Sequence, residues 1–282
     1  MDPPRGALTL KEMDPKTFRA FCDFIYEQSG ITLKEGKESL VSARIAKRMR
    51  ANGIVDPRAY LEFVMADRSG RELVEMIDAI STNLTFFFRE EAHFDMLRGV
   101  LSGWRDQGQL TYRIWCAAAS TGEEPYSIAM TVLDVLGEGA TDTRILATDI
   151  STRVLKTCTE GVYGENRMRN VSAGYRQRFF ERNKDRATGE VRYTVKPSLR
   201  ELVFFKRLNL STPPFPMRGP MDVVFCRNVM IYFDQRVRAN LVNEIYRLLK
   251  PGGYLMVGHS ESLAGIPTPL ERVCPATYIK PG

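Results

Sequence analysis

The stretch Arg113-Ile-Trp-Cys-Ala-Ala-Ala-Ser-Thr-Gly-Glu-Glu-Pro-Tyr-Ser-Ile-Ala-Met130 restricts the fold more than any other part of the chain. It opens as a buried strand, with apolar Ile114, Trp115 and Cys116 following the turn-rich run 106–109. Small residues then run from Ala117 to Gly122, where backbone can approach a ligand closely. Glu123, Glu124 and Pro125 open an apolar helical run through Ile128, Val132 and Leu136. Acidic residues and proline suit the first turn of a helix. The pattern is strand, tight loop, helix, the first βα unit of a nucleotide-binding α/β domain.

The loop also limits the ligand. A dinucleotide site calls for G-x-G-x-x-G and a helix N-terminus open to a pyrophosphate. Only Gly122 is present, and two carboxylates stand at the helix start, where they repel phosphate. They suit a nucleoside bearing an amine or a sulfonium. S-adenosyl-L-methionine (SAM) fits: it has adenosine, no phosphate, a cationic sulfur and an α-ammonium group. The alternative from this segment alone is a plain strand-loop-helix whose acids are a solvated capping pair.

A chain of 282 residues has room for two domains, or for one large α/β domain with additions. No apolar run approaches the ~20 residues of a membrane span, and residues 1–6 lack the layout of a signal peptide. Five cysteines at 22, 116, 158, 226 and 274 form no C-x-x-C pair. That argues for reduced thiols in cytosol, with neither a disulfide framework nor a zinc site. His93 and His259 are the only histidines, so neither a metal site nor a His-based triad is expected. The net charge of +6 suits an acidic partner, whether nucleic acid, membrane or an acidic protein face, or else a generic soluble basic protein; net charge alone does not decide.

Residues 14–81 read as an all-α N-terminal domain, after a flexible tail over 1–13. Phe18, Phe21, Ile25 and Tyr26 repeat at helical spacing until Ser29-Gly30. Val41, Ile45 and Met49 form a second stripe, ended by Asn52-Gly53. Tyr60, Phe63 and Val64, then Leu73, Ile77 and Ile80, continue the pattern. About 70 residues is small for an independent core, so this domain is expected to pack on the rest of the chain. On a wheel of about 100° per residue, Lys37, Arg44, Lys47 and Arg48 share one arc beside the second stripe, and Arg50 lies elsewhere. Such a strip either grips an acidic helix or is a solvated charged face.

Residues 82–106 read as a linker between the two parts. In it Asn83, Thr85 and Arg89 interrupt an apolar segment, and a helix passes through Phe94 and Leu97. Over 107–282 strands alternate with helices. Strands are expected at 112–117, 144–148, 202–206, 221–226 and 254–258, and helices at 124–136, 152–160 and 235–249, the last stopped by Lys250-Pro-Gly-Gly253. This predicts an α/β, Rossmann-like, doubly wound and mostly parallel sheet, with 272–280 as one antiparallel edge strand. Residues 162–200 break the alternation: Thr188-Gly189 between β-formers reads as a hairpin, in a small β-subdomain insertion.

Open α/β sheets bind ligands at the carboxyl ends of their strands. Those ends supply Ala117 to Gly122 with Glu124, then Asp149, then Asn209 and Leu210, then Cys226-Arg-Asn-Val-Met-Ile-Tyr-Phe233. Asp149 is placed to accept from two ribose hydroxyls, or else caps the 152–160 helix. Asn209 and Leu210 suit an adenine, or else Asn209 is a turn residue.

Taken together, the motifs resemble the CheR family, the chemotaxis receptor methyltransferases that move a methyl from SAM to chemoreceptor glutamates. They are Thr82-Asn-Leu-Thr-Phe-Phe-Phe-Arg-Glu90, Ala117-Ala-Ala-Ser-Thr-Gly-Glu-Glu-Pro-Tyr-Ser-Ile-Ala129, Ala147-Thr-Asp-Ile-Ser151, Phe225-Cys-Arg-Asn-Val-Met-Ile-Tyr-Phe-Asp234, Leu249-Lys-Pro-Gly-Gly253 and Gly258-His-Ser-Glu261. The resemblance runs from about residue 14 to the C-terminus. It implies a SAM site lined by Asn83, Thr85, Arg89, Ala118, Glu124, Asp149, Asn209, Leu210, Arg227 and Asn228, with S-adenosyl-L-homocysteine (SAH) as product. It places Arg89 and Tyr232 nearest the chemistry. It assigns Arg44, Lys47, Arg48 and Arg50 to the cytoplasmic helical signalling domain of chemoreceptors, and implies a cytoplasmic monomer with no nucleic-acid partner and no membrane insertion. In some members the β subdomain docks a peptide from the receptor's C-terminus; the loop over 183–189 is longer here than in those members. The rival readings are a nucleic-acid methyltransferase and a SAM-binding regulator without catalysis. Against the first, Arg227-Asn-Val-Met stands where base methyltransferases commonly carry Asp/Asn-Pro-Pro-aromatic.

Overall fold

The computed structural model describes residues 10–33, 36, 38–80, 84–139 and 142–282. Most of the expected N-terminal tail, with Lys37 and Asn83, lies outside them. The chain divides into two compact units, Met1–Asn83 and Leu84–Gly282.

The first unit is helical, with α1 Pro15–Ser29, α2 Glu38–Ala51, α3 Pro57–Ala66 and α4 Arg71–Ile80. Local chemistry sets the ends. Asp14 accepts from the Lys16 and Thr17 amides, and Gly30 closes α1 at φ 72°, a left-handed position that favours glycine. Asp56 caps α3 in the same way ahead of Pro57. Phe21, Ile25, Val41, Ile45, Met49, Tyr60, Val64, Ile77 and Ile80 are buried. Phe63 departs from the expected stripe and is exposed; in α4, Val74 and Met76 are buried while Leu73 is only half-buried.

The second unit begins with the segment leading into α5 (Ala92–Asp106). Its seven-stranded sheet uses β1 Thr111–Cys116, β2 Asp142–Asp149, β6 Val203–Arg207, β7 Met221–Cys226, β8 Leu249–Val257, β9 Glu271–Cys274 and β10 Thr277–Ile279, ordered β6-β2-β1-β7-β8-β10-β9. The first five strands run parallel; β10 is antiparallel to both β8 and β9. Helices α6 (Glu123–Leu136), α7 (Thr152–Glu160) and α8 (Gln235–Leu248) fall close to the expected spans.

Two details correct the sequence reading. The C-terminal segment is a hairpin rather than one strand, because Ala276 turns it at φ 58° between β9 and β10. Lys250-Pro-Gly-Gly253 does not simply end a helix. It is a bulge inside β8: Met221 pairs with Leu249 and Val223 with Tyr254, and Gly252 takes φ 72°.

Strand alternation builds the core on both sheet faces. Ile114, Cys116, Val223 and Phe225 join Phe94, Leu97, Tyr126 and Met256 on one side. Trp115, Ala117, Val224 and Cys226 join Leu210, Phe215, Leu241 and Ile245 on the other. The insertion forms a three-stranded antiparallel sheet in the order β3-β5-β4, from β3 Val162–Gly164, β4 Phe180–Lys184 and β5 Val191–Val195. The expected hairpin is present, with Asp185 accepting from the amides of Ala187 and Thr188.

Candidate cofactor and active site

Three strand ends meet around the 117–122 loop. The Ala117 amide donates to the Phe225 carbonyl at the end of β7 (2.8 Å), and the Ala119 amide to the Thr148 carbonyl of β2 (2.8 Å). Half-buried Ala118 sits between these two anchors. The turn closes through Gly122, at φ 99°. A Cβ there would stand 2.5 Å from the Tyr163 hydroxyl, so conformation and space both demand glycine.

The two acids that follow diverge. Glu123 is fully buried; Arg167 pairs with it at 2.9 Å and the Thr121 hydroxyl donates to it at 2.6 Å. Glu123 therefore ties the loop to the insertion. Glu124 turns toward the end of β7, where it accepts from Arg227 Nη1 (2.8 Å) and from the Cys116 thiol (3.2 Å). Burial pushes both carboxyls above their ordinary range, against the opposing pull of Arg167 on Glu123 and of Arg227 on Glu124.

Arg227 is the hub. Its side chain is wholly buried, and its Nη2 lies 3.0 Å from Glu90 and also donates to the Arg89 carbonyl. The guanidinium sits over the Phe94 ring at 5.7 Å. Burial raises the Glu90 carboxyl, but the charge and hydrogen bond of Arg227 outweigh it and hold Glu90 below its ordinary value. Glu90 also accepts from Asn228 Nδ2 (3.3 Å) and from the His259 amide (3.1 Å). Asn228 stands at φ 56°, a left-handed conformation that asparagine tolerates better than most residues. Arg89 donates to the Leu84 carbonyl at 2.7 Å and lies 6.0 Å from the Phe86 ring centroid. Thr85 presents its carbonyl to Arg167 at 3.3 Å.

Asp149 ends β2, accepting from the Ser120 amide of the loop (2.9 Å) and from the Ser151 amide (3.0 Å). The cap of α7 is Ser151, whose hydroxyl accepts from Val154; Asp149 supports it from outside. The Leu208 amide donates to the Asp149 carbonyl at 3.0 Å, which brings the 209–210 pair to the same sheet end. Asn209 folds its side-chain oxygen onto Ser211, and Leu210 is buried beside Trp115 and Ala117 in one core cluster. Tyr232 closes a short 3-10 turn, Met230–Tyr232, just beyond Asn228.

Among the described residues, Glu90, His93 and His259 form the one cluster with metal-ligand potential. Burial, with Arg227 adding, drives the His93 pKa down to about 4, so the ring is neutral at pH 7. Within that cluster, the guanidinium of Arg227 pairs with Glu90 at 3.0 Å.

In unit one, the predicted basic strip is divided. Arg48 is drawn inward, with Nη2 2.7 Å from Glu72 and Nη1 3.1 Å from Glu75. Arg44 donates to the Ile80 carbonyl. Lys47 and Arg50 are exposed.

The sequence reading did not select Glu90, Arg167 or Glu261. Glu90 and Glu261 stood inside the motifs but carried no periodicity signal. Arg167 lies in an insertion whose docking on the loop has no local signature.

The site suits SAM. A glycine-tight loop leaves backbone open to a close approach, the start of α6 is acidic rather than open to phosphate, and carboxylates end both β1's loop and β2. Comparison with known proteins agrees. Residues 83–279 match the family described as "CheR methyltransferase, SAM binding domain", and residues 16–81 match "CheR methyltransferase, all-alpha domain". The chain is 40% identical over 249 residues to the chemotaxis protein methyltransferase of Salmonella typhimurium, covering 88% of this chain and 84% of that protein. It is 38% identical over 263 residues to the chemotaxis protein methyltransferase of Borreliella burgdorferi, covering 91% of each. The chain belongs to the CheR family of SAM-dependent chemotaxis methyltransferases.

Proposed function

We propose that this chain moves the methyl group of SAM to glutamate side chains in the helical signalling domain of chemoreceptors, giving methyl esters and releasing SAH. The observation that carries this reading is the match to both CheR domains, with about 40% identity to chemotaxis protein methyltransferases along most of the chain. Bound SAM supplies a methyl activated by its sulfonium.

The side chains have a positional task. A glutamate acceptor has a pKa of about 4.3 and is ionised at neutral pH, so it needs no general base. This agrees with a site whose buried histidine, His93, is neutral. Glu124 is the partner for the cofactor's ammonium, Asp149 for its ribose hydroxyls, and Asn209 with Leu210 for its adenine; Asn83, Thr85, Ala118, Arg227 and Asn228 complete the lining. Arg89 orients the incoming carboxylate or the cofactor, and Tyr232 hydrogen-bonds the acceptor. Charge is neutralised as carboxylate meets sulfonium, so excluding water lowers the barrier. Among the described residues no helix is long and apolar enough to cross a membrane.

For the receptor contact, Lys47 and Arg50 project outward, while Arg44 and Arg48 hold internal partners. Reversing charge by Lys47→Glu should raise KM for a receptor signalling fragment severalfold and leave SAH affinity unchanged. A KM equal to wild type would remove Lys47 from that surface.

Incubation with labelled SAM and either a receptor signalling fragment or RNA tests the whole reading. Base-labile label on receptor glutamates is expected. Label on RNA would replace the reading with a nucleic-acid methyltransferase, and no label despite SAH binding would leave a regulator. Within the enzyme, Tyr232→Phe should lower turnover more than SAH affinity, as initial rates and calorimetry would show. An equal loss of both would place Tyr232 outside the chemistry.

A further inference from the structure

Glu261 is only 7% exposed, and among the described residues no cation pairs with its carboxylate. Backbone amides satisfy it instead: Gly258 at 2.7 Å, Asn228 at 2.7 Å and Ile231 at 3.2 Å. A buried carboxylate without a cation is costly, and burial does push this carboxyl above its ordinary value, with the amides pulling against it. The three donors belong to two different strand ends. Gly258 follows β8; Asn228 and Ile231 belong to the turn after β7 that contains Tyr232. Glu261 thus staples that turn to its neighbour, with Asn228 in its left-handed conformation. The fit is close: a Cβ on Gly258 would come within 2.3 Å of Asn228 Nδ2 and 2.8 Å of Glu261 Oε2.

We infer that Glu261 is a positioning residue for methyl transfer: through these amides its carboxylate fixes the 228–232 turn, and with it the placement of Asn228 and Tyr232. The inference rests on the proposed roles of those two residues. It assigns Glu261 no contact with SAM or acceptor. Glutamine in its place keeps the shape but turns one end into a donor facing at least one of these N–H groups. The turn then shifts, and a misplacement near 1 Å is enough to cost about 100-fold in rate.

The test uses the full chain as wild type, Glu261→Gln and Gly258→Ala. The second variant wedges the same contact apart while keeping the glutamate itself, and it decides the matter if the first does not fold. With SAM and a receptor signalling fragment, both variants should lose at least about tenfold in kcat, a larger factor than the accompanying weakening of SAH that follows from moving Asn228. Hydrogen exchange of the 228–232 amides should also be faster in both. A kcat near wild type, a kcat loss matched by the loss in SAH affinity, or unchanged exchange at those amides would overturn the inference. If wild type itself does not methylate the fragment, the proposed function fails, and the exchange measurement still judges the staple.

Discussion

Arg48 and Arg227 each lie between two glutamates, yet the two arrangements do different work. Arg48 keeps about a fifth of its side chain in solvent and bonds Glu72 and Glu75, while the Tyr60 hydroxyl donates to Glu72 at 2.6 Å. Burial raises the Glu72 carboxyl, but the hydrogen bonds from Arg48 and Tyr60 outweigh it and hold it below its ordinary value. This is a stabilising brace among helices. Arg227 is wholly buried, its Nε has no hydrogen-bond partner among the described residues, and one of its two acids, Glu124, is shifted upward by burial. That network stores electrostatic cost at a strand end, as expected of a site built to meet a charged ligand. Similar residue types, set at different depths, give their carboxyls opposite shifts.

The largest expected effect comes from removing the buried cation. Arg227→Met leaves Glu90 and Glu124 without it and should cost about 3–5 kcal/mol of the stability of the sheet unit, read from the denaturation midpoint. A loss below about 1 kcal/mol would mean that this pair behaves like a surface salt bridge, and the contrast would collapse.

A smaller effect separates the networks by pH. Because the folded-state pKa of Glu72 is lowered, its stabilisation is present above the ordinary value of 4.5 and is lost as pH falls through the lowered one. Glu72→Gln should therefore be less stable than wild type at pH 7, with the gap closing as pH falls below 4.5 through the lowered pKa. For Glu124 the sign reverses. Its raised pKa makes the ionised form a burden at neutral pH that acid relieves, so Glu124→Gln should lose little or no stability at pH 7. Parallel pH curves for the two variants would contradict the assignment.

The same contrast shows what could be read from sequence. Period-3.6 patterns located the helices, and short apolar runs between turns located the parallel strands, which are buried on both faces. The loop before α6 was legible because Gly122 and the acids after it are local. The engagement of Arg48 was not: its wheel position suggested an outward strip, and only the approach of α4, carrying Glu72 and Glu75, turns the guanidinium inward. Glu90 and Glu261 were equally hidden, since a carboxylate bonding amides from a distant strand end leaves no pattern in its own neighbourhood. The C-terminal hairpin was missed because Pro275-Ala276 reads as a weak turn, and Ala276 reaches positive φ without a glycine.

SAH titrations by calorimetry at pH 7, into Glu124→Gln and Glu72→Gln, decide whether depth separates the two networks in function. Both substitutions remove one charge from an arginine-centred pair, but only Glu124 is proposed to meet the cofactor's amino-acid end. The prediction is SAH binding at least about tenfold weaker, a loss of ~1.4 kcal/mol, in Glu124→Gln, with wild-type affinity kept in Glu72→Gln. Equal affinities in the two variants would contradict it.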